Sequence, residues 1–171
     1  TITKKVDIVQ LLIEARANLD IQDRQGGNTA LHYAIAQGFP IVKALVEAGA
    51  NRDIQNQQKQ TPLHHAVRFG DSALDIVKIL TEKEANLNLQ DHQRRTPLHY
   101  AVCYGDAALE VVKRLLRQGA DPRLKDSLNN TALDLARIQL TSETQSGEAI
   151  CGFLKNFMYV DDEMRMSTEP S

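Results

Sequence analysis

The feature that most constrains this chain is an internal repeat. A four-residue block occurs as Thr-Ala-Leu-His at residues 29–32, Thr-Pro-Leu-His at 61–64 and 96–99, and Thr-Ala-Leu-Asp at 131–134, at spacings of 32, 35 and 35 residues. A period of this length is typical of solenoids, in which each unit contacts only its neighbours and stacking buries a continuous core. We therefore expect a row of similar units rather than one central core.

Two further blocks keep the same register and support it independently. A pair of β-branched residues recurs at 8–9, 41–42, 76–77 and 111–112, at spacings of 33, 35 and 35 residues. An Ala-Asx pair recurs at residues 17–18, 50–51, 85–86 and 120–121. Gly49 and Gly119 precede two of these pairs and suit a left-handed helix end.

Each unit has the sequence pattern of two short helices after a polar hairpin. The Thr that opens the first block can accept a hydrogen bond from a free amide at a helix start. Pro62 and Pro97 suit the first helical turn because their missing N–H would be unpaired there. Glycine marks the expected turn between the two helices at Gly38, Gly70 and Gly105.

These residues closely resemble the ankyrin repeat family, whose unit of about 33 residues carries Thr-Pro-Leu-His, an Ile-Val-x-Leu-Leu helix and a Gly-Ala-Asp exit. The resemblance covers roughly residues 6–140. It implies an all-α ankyrin-repeat solenoid of stacked helix-turn-helix units with β-hairpin-like connecting loops. It also implies a concave face, made by the hairpin tips and by the inner helix that opens each pair.

The repeat register predicts the domain boundaries. We expect an ankyrin repeat domain over residues 1–160 and a flexible C-terminal tail over 161–171. The units are a partial repeat at 1–22, repeats at 23–55, 56–90 and 91–125, and a degenerate capping repeat at 126–160 that ends in a helix over 148–158. Residues 6–22 have the pattern of a second helix without a first, so we expect further sequence upstream in the parent protein.

The hairpins depart from the family pattern at one position. Lys59, Arg94 and Asn129 stand where the family usually has glycine. A positive φ costs a non-glycine residue about 1 kcal/mol, and Asn is penalised least. The sequence leaves two alternatives: either stability is lost at these tips, or the tips adopt a different geometry.

Composition and charge exclude several classes of protein. The chain has 171 residues, of which 42% are hydrophobic, and a formal net charge of -2. No apolar run approaches the roughly 20 residues that span a bilayer, and no basic field would attract nucleic acid, so we expect neither membrane insertion nor nucleic-acid binding. The spacing of Cys103 and Cys151 indicates no disulfide, which favours an intracellular protein. We expect it in the cytoplasm and also in the nucleus. We expect a monomer.

The histidines of the repeated block suggest a metal or catalytic site only at first sight. His32, His64 and His99 occupy the same repeat position, so they stand about 10 Å apart and cannot share one metal ion. The resemblance implies a structural role, in which each His hydrogen-bonds the Thr of its own block and the neighbouring hairpin. No nucleophile–base set or phosphate-binding loop is visible. We expect no enzyme activity, no catalytic residues, no metal and no cofactor.

The resemblance implies that residues on the exposed edge of the inner helices, together with the hairpin tips, contact a partner protein. Tyr, Phe and Arg are frequent there, and these residue types dominate interface energies. An alternative is that Tyr33 and Tyr100 only pack against neighbouring helices. The candidate residues are Tyr33, Gln37, His65, Arg68, Phe69, Tyr100, Cys103 and Tyr104 on the helices, and Gln57, Gln58, His92, Gln93 and Arg95 at the tips.

The sequence thus predicts a protein–protein interaction module that binds through its concave face. The aromatic and mildly basic character of this face favours a partner with apolar anchors and some acidic character. Two alternatives remain at this point. One is a regulatory or substrate-docking domain of a larger enzyme, and the other is a scaffold or adaptor, which includes viral or bacterial proteins that imitate host adaptors.

Overall fold

A computed structural model describes residues 2–82, 85–141 and 147–166. The described residues form helices and turns and contain no β-strand, which confirms the all-α prediction. The α-helices are α1 (Ile2–Glu14), α2 (Ala30–Ala34), α3 (Phe39–Glu47), α4 (Pro62–Ala66), α5 (Leu74–Leu80), α6 (Pro97–Val102), α7 (Leu109–Arg117), α8 (Ala132–Thr141) and α9 (Glu148–Met166). Tight 3-10 turns cover Ile35–Gln37, Val67–Ala73 and Gly105–Ala108.

The helices are arranged as a stack of antiparallel pairs. The inner helices α2, α4 and α6 pack on the outer helices α3, α5 and α7, and each outer helix also contacts the next. Helix α1 packs on α3, so it takes the position of an outer helix. The contacts between successive pairs bury one continuous core, as a solenoid requires.

The Thr and His of each block explain where the inner helices begin. Thr61 is the N-cap of α4, with an extended backbone, and its Oγ1 accepts a hydrogen bond from the amide of His64 at 3.4 Å. The His64 ring reciprocates, because its Nδ1 accepts from the Thr61 amide at 3.1 Å. This exchange satisfies two amides that would otherwise be unpaired at the helix start.

The same histidines join successive units. Because Nδ1 of His64 accepts from a backbone N–H, the proton of the neutral ring resides on Nε2, which donates to the Arg95 carbonyl at 3.0 Å. His32 and His99 donate in the same way to the carbonyls of Gln60 and Asn130, at 3.0 and 3.2 Å. The predicted structural role of the three histidines is confirmed.

A row of glutamines also joins the units. The side-chain amide of Gln55 donates to the Lys59 carbonyl in its own hairpin at 2.6 Å, and to the Gln90 carbonyl in the next unit at 3.0 Å. Gln22 and Gln90 make equivalent bonds. The fourth unit has Lys125 at the repeat position of these glutamines, so the row of glutamines ends at Gln90. The glutamines hold neighbouring hairpins at a fixed spacing.

The hairpin tips keep the geometry that glycine normally provides. Gly27 has φ 68°, and Lys59, Arg94 and Asn129 have φ 57°, 56° and 65° at the equivalent positions. The Lys59 amide closes the turn on the Asn56 carbonyl at 2.8 Å. The structure therefore supports the first alternative: the tips keep the same geometry, and stability is lost. Holding a positive φ costs about 1 kcal/mol at each non-glycine residue.

The C-terminal unit differs from the pattern in two ways. Asp134 replaces the block histidine, and its Oδ2 accepts from the hydroxyl and the amide of Thr131 at 2.7 and 3.0 Å. Helix α9 continues to Met166, so the expected boundary at residue 160 lies inside a helix. This extension contains Glu163, Met164 and Arg165, all strong helix formers. Residues 167–171 lie outside the described residues.

Candidate functional site

The face made by the inner helices and the hairpin tips, which the family resemblance implies to be concave and which is called the concave face below, carries exposed aromatic side chains in three successive units. Tyr33 lies on α2, Phe69 in the turn after α4, and Tyr104 directly after α6. Large apolar side chains are usually covered, so a group of exposed rings on one face differs from an ordinary solvated surface. The repeat register predicted that all three are exposed, which they are, but only Tyr33 lies on an inner helix, whereas Phe69 and Tyr104 follow one.

Two of these rings line a cavity, here called the aromatic cavity, with a volume of about 330 Å³. It brings together four residues that the sequence nominated, His65, Arg68, Phe69 and Tyr104. Its other lining residues, His32, Ile35 and Ala36, were not nominated. They were detectable in principle, because they lie in the unit that precedes His65 and Phe69 in the stack.

His65 is a half-buried, neutral member of the aromatic cavity. Its ring meets His32 edge-on, with ring centroids 5.5 Å apart and planes inclined by 82°. Burial, followed by the charges of nearby His32 and Arg68, lowers the pKa of His65 to about 4. The imidazole therefore carries no charge near neutral pH, and Arg68 is the cation of this cavity.

Tyr33 and Tyr100 use their hydroxyls within the protein. The Tyr33 hydroxyl donates to Asp23 Oδ2 at 2.9 Å, and the Tyr100 hydroxyl donates to Asp91 Oδ2 at 2.6 Å. Tyr100 also accepts from Gln60 Nε2 at 3.1 Å and is half-buried, whereas the Tyr33 ring remains exposed. Burial, followed by the bond to Asp91, raises the pKa of Tyr100 to about 12. The alternative that these tyrosines only pack against neighbouring helices therefore fits Tyr100 and does not fit Tyr33.

Arg95 lies beside Tyr100 and a buried carboxylate. Its guanidinium stands over the Tyr100 ring, 6.0 Å from the centroid, and its Nε lies 3.6 Å from Asp126 Oδ2. Asp126 Oδ2 is buried without a hydrogen bond, since Leu135 stands where the earlier unit has Tyr100. Burial raises the pKa of Asp126, but hydrogen bonds from the backbone amides of Asn130 and Leu128 and from the Asn130 side chain, together with nearby His99, more than offset this and lower the pKa overall.

The nominated residues at the hairpin tips form an exposed ledge of linked loops. His92 Nε2 approaches the Gln57 carbonyl at 2.8 Å, and the His92 amide donates to the Gln58 carbonyl at 3.2 Å. The Ser127 amide continues the connection with a bond to the Gln93 carbonyl at 2.8 Å. The tips therefore present exposed side chains on a backbone that is fixed by hydrogen bonds.

Cys103 and Gln37 lie at the margins of this face. The thiol of Cys103 is half-buried and donates to the His99 carbonyl at 3.2 Å. Burial raises the pKa of this thiol, which disfavours the nucleophilic thiolate form. Gln37 is exposed and accepts from Lys5 Nζ at 2.5 Å, so it lies toward α1 and outside the aromatic cavity.

The described residues contain no group of three or more His, Cys, Asp or Glu side chains that could hold a metal ion. In the same part of the chain, no helix is both long and apolar enough to cross a membrane.

Comparison with known proteins agrees with this architecture. The family model for ankyrin repeats matches three overlapping stretches, residues 2–91, 37–126 and 72–140. The matched stretches together include every helix of the stack from α1 to α7 and nearly all of α8. A search of curated proteins found no match.

Proposed function

Because the chain belongs to the ankyrin repeat family, we propose that it binds a partner protein through the concave face described above. Ankyrin repeats are generally protein–protein interaction modules with a non-catalytic fold. The observation that carries the proposal is the aromatic cavity, which is lined by exposed Phe69 and Tyr104 and by buried Ile35.

The rigidity of the concave face supports this proposal. The inner helices are tied to the following hairpins by His32 and His64, and the hairpins are tied to each other by Gln22 and Gln55. A surface that is already ordered loses little conformational entropy on binding, so more of the contact energy contributes to affinity. Exposed aromatic rings on such a surface are the groups whose truncation commonly costs an interface 2 kcal/mol or more.

The charges of this face favour an acidic partner segment with an apolar anchor. Arg68 lines the aromatic cavity, Arg95 lies one unit further along, and the neutral His65 adds no second positive charge between them. A volume of about 330 Å³ accommodates one large apolar side chain. We propose that such a side chain enters between Phe69 and Tyr104 while a neighbouring carboxylate pairs with Arg68.

We also propose an intracellular location, in the cytoplasm or the nucleus, because neither cysteine is paired. Cys103 and Cys151 are free thiols, and Cys151 is buried. Free thiols persist where the compartment is reducing.

Affinity capture from a native lysate with mass spectrometry tests the proposal. The bait is the chain itself, compared with a Phe69→Ala, Tyr104→Ala double variant and with Ile21→Ala, which removes an exposed apolar side chain outside the cavity. The proposal predicts a protein captured by the chain and by Ile21→Ala but lost with the double variant. Equal capture by all three baits, each checked for native helicity by circular dichroism, would place the binding surface elsewhere.

A further inference from the structure

Each hairpin contains an Asp or Asn whose side chain has two tasks. These residues are Asp23, Asn56, Asp91 and Asp126. The Oδ1 atom accepts hydrogen bonds from two backbone amides of the tip, at 3.0 Å each in Asn56 and at 2.9 Å each in Asp126. The second polar atom of the side chain is left for a contact outside the tip.

In the first three hairpins, the following inner helix supplies that contact. The residue involved stands four positions after the Thr of the repeated block. Tyr33 donates its hydroxyl to the first hairpin side chain at 2.9 Å, and Tyr100 donates to the third at 2.6 Å. His65 Nε2 lies 3.5 Å from the amide nitrogen of the second. A polar side chain at this position therefore completes each of these hairpins.

The fourth hairpin differs, because Leu135 stands at this position and has no polar group. Asp126 is 2% exposed, and its Oδ2 has no hydrogen-bond partner in the part of the chain that the structure describes. The same holds for Arg95 Nε, which is buried 3.6 Å from this oxygen, too far for a direct hydrogen bond. Folded proteins rarely leave two neighbouring polar atoms in this state, since each one costs stability.

The preceding unit shows which chemical group fits between such a pair. The Tyr100 hydroxyl donates to Asp91 Oδ2 at 2.6 Å and accepts from Gln60 Nε2 at 3.1 Å. Gln60 and Asp91 occupy the repeat positions of Arg95 and Asp126. One hydroxyl can therefore satisfy both unpartnered atoms, because it donates and accepts. A carboxylate would satisfy only Arg95, and an ammonium group would satisfy only Asp126.

The surroundings favour a hydroxyl that is carried by an aromatic ring. The Arg95 side chain is 28% exposed, so the pair lies just beneath the concave face. Ile138, one helical turn after Leu135, is 53% exposed. Cys103 holds the same repeat position as Ile138 in the preceding unit and is half-buried. A phenol combines an apolar body, which suits these neighbours, with the terminal hydroxyl that the pair requires.

We propose that the partner protein inserts a tyrosine at this point, with its hydroxyl donating to Asp126 Oδ2 and accepting from Arg95 Nε. This inference rests on the proposed function of the concave face and names a second anchor for the same partner, beyond the aromatic cavity. A site with buried polar groups for a hydroxyl discriminates strongly against an analogue that lacks it, because those groups then stay unpaired. The site therefore selects Tyr over Phe.

A tyrosine analogue tests the site without the partner. We would titrate N-acetyl-L-tyrosinamide into the isotope-labelled chain and follow the Leu135 methyl groups and the Arg95 Nε–H by nuclear magnetic resonance. We expect a saturable shift of both signals with a Kd below about 10 mM. N-acetyl-L-phenylalaninamide, which lacks only the hydroxyl, should bind at least about fivefold more weakly.

A conservative variant of the chain removes the acceptor. Asp126→Asn keeps the hairpin, because Asn56 holds its own tip through the same two amide bonds. It replaces the carboxylate oxygen that faces Arg95 with an NH2 group, so the affinity for the tyrosine analogue should fall at least about fivefold. Unshifted resonances in α2 to α5 would report that the fold is retained.

Filling the site from within gives an independent measurement. Leu135→Tyr restores the residue type that the preceding unit has, and Leu135→Phe is its control without the hydroxyl. Leu135→Tyr should melt about 2 to 4 °C above Leu135→Phe, because its hydroxyl satisfies both buried atoms. It should also abolish the response to the tyrosine analogue.

Four results would overturn the proposal. They are the absence of a saturable response up to about 50 mM analogue, equal affinity for the phenylalanine analogue, an unchanged response in Leu135→Tyr, and equal melting of the two Leu135 variants. Equal affinity or equal melting would mean that an ordered water alone serves the pair. The Phe69→Ala, Tyr104→Ala variant changes neither Asp126 nor Arg95 and must keep the response. Failure of this inference is therefore distinguishable from failure of the concave-face proposal, which is tested by loss of the captured protein.

Discussion

Replacing His64 with Ala tests whether the repeated histidines hold the stack together. The His64 side chain is 1% exposed. It accepts hydrogen bonds from the amide and the hydroxyl of Thr61, at 3.1 and 2.9 Å, and donates to the Arg95 carbonyl at 3.0 Å. The substitution removes one bond between units and two bonds at the start of α4.

The magnitude follows from the groups that lose their partners. A buried polar group left without a hydrogen bond costs about 1 to 3 kcal/mol, and both the Thr61 amide and the Arg95 carbonyl are left in this state. The Thr61 hydroxyl can rotate toward another acceptor, and the vacated volume adds a smaller cavity cost. We therefore expect the free energy of unfolding to fall by about 3 to 5 kcal/mol, a large share of the 5 to 15 kcal/mol typical of a domain.

Urea unfolding followed by circular dichroism measures this loss. His92→Ala is the matched control, because His92 is exposed and its ring contacts one carbonyl, so its cost should stay below about 1 kcal/mol. His64→Asn should fall between the two, since its side-chain oxygen can accept from Thr61 as Asp134 accepts from Thr131. A loss below about 1 kcal/mol for His64→Ala, or one equal to that of His92→Ala, would refute the argument.

Three further predictions follow from the same contacts. Burial lowers the pKa values of the three block histidines and of His65, so below about pH 6.5 the unfolded state binds more protons than the folded state. The free energy of unfolding, measured in urea at pH 7, 6 and 5, should therefore decrease as the pH is lowered. An unchanged free energy of unfolding across this range would contradict the prediction. Lys59→Gly and Arg94→Gly should each raise the free energy of unfolding by up to about 1 kcal/mol, because each residue has a positive φ that glycine adopts without strain. A loss of stability would show that the lost side-chain contacts outweigh the relief of backbone strain. In the same assay, Tyr100→Phe should lower the free energy of unfolding by about 1 to 2 kcal/mol and Tyr33→Phe by less than about 0.5 kcal/mol. The reason is that only the Tyr100 hydroxyl is half-buried between two hydrogen-bond partners. Equal losses for the two variants would contradict the prediction.

Local rules predicted the parts of the fold that depend on single units. Thr61 and Pro62 begin α4 where capping preferences place a helix start, and Gly70 has the positive φ that its turn requires. The family resemblance correctly assigned the block histidines to hydrogen bonds. Both kinds of inference work because each interaction involves one block and its immediate neighbour, and the period fixes that neighbour.

Interactions between units were harder to predict because no local rule contains them. Gln22, Gln55 and Gln90 recur in register, but their bonds to the next hairpin depend on a spacing that only the stacked structure reveals. The aromatic cavity combines Phe69 with Tyr104 from the next unit, for the same reason. The helix over residues 161–166 was missed because that segment has no apolar period, although its residues favour a helix.

The central claim is that the concave face binds a partner protein through the aromatic cavity. Isothermal titration calorimetry of the captured partner against the chain, the Phe69→Ala, Tyr104→Ala double variant and the Ile21→Ala control tests it most directly. Two interface rings worth about 1 kcal/mol or more each should raise the Kd of the double variant by at least about 30-fold, with the control within about threefold of the chain. A Kd for the double variant equal to that of the control would contradict the claim.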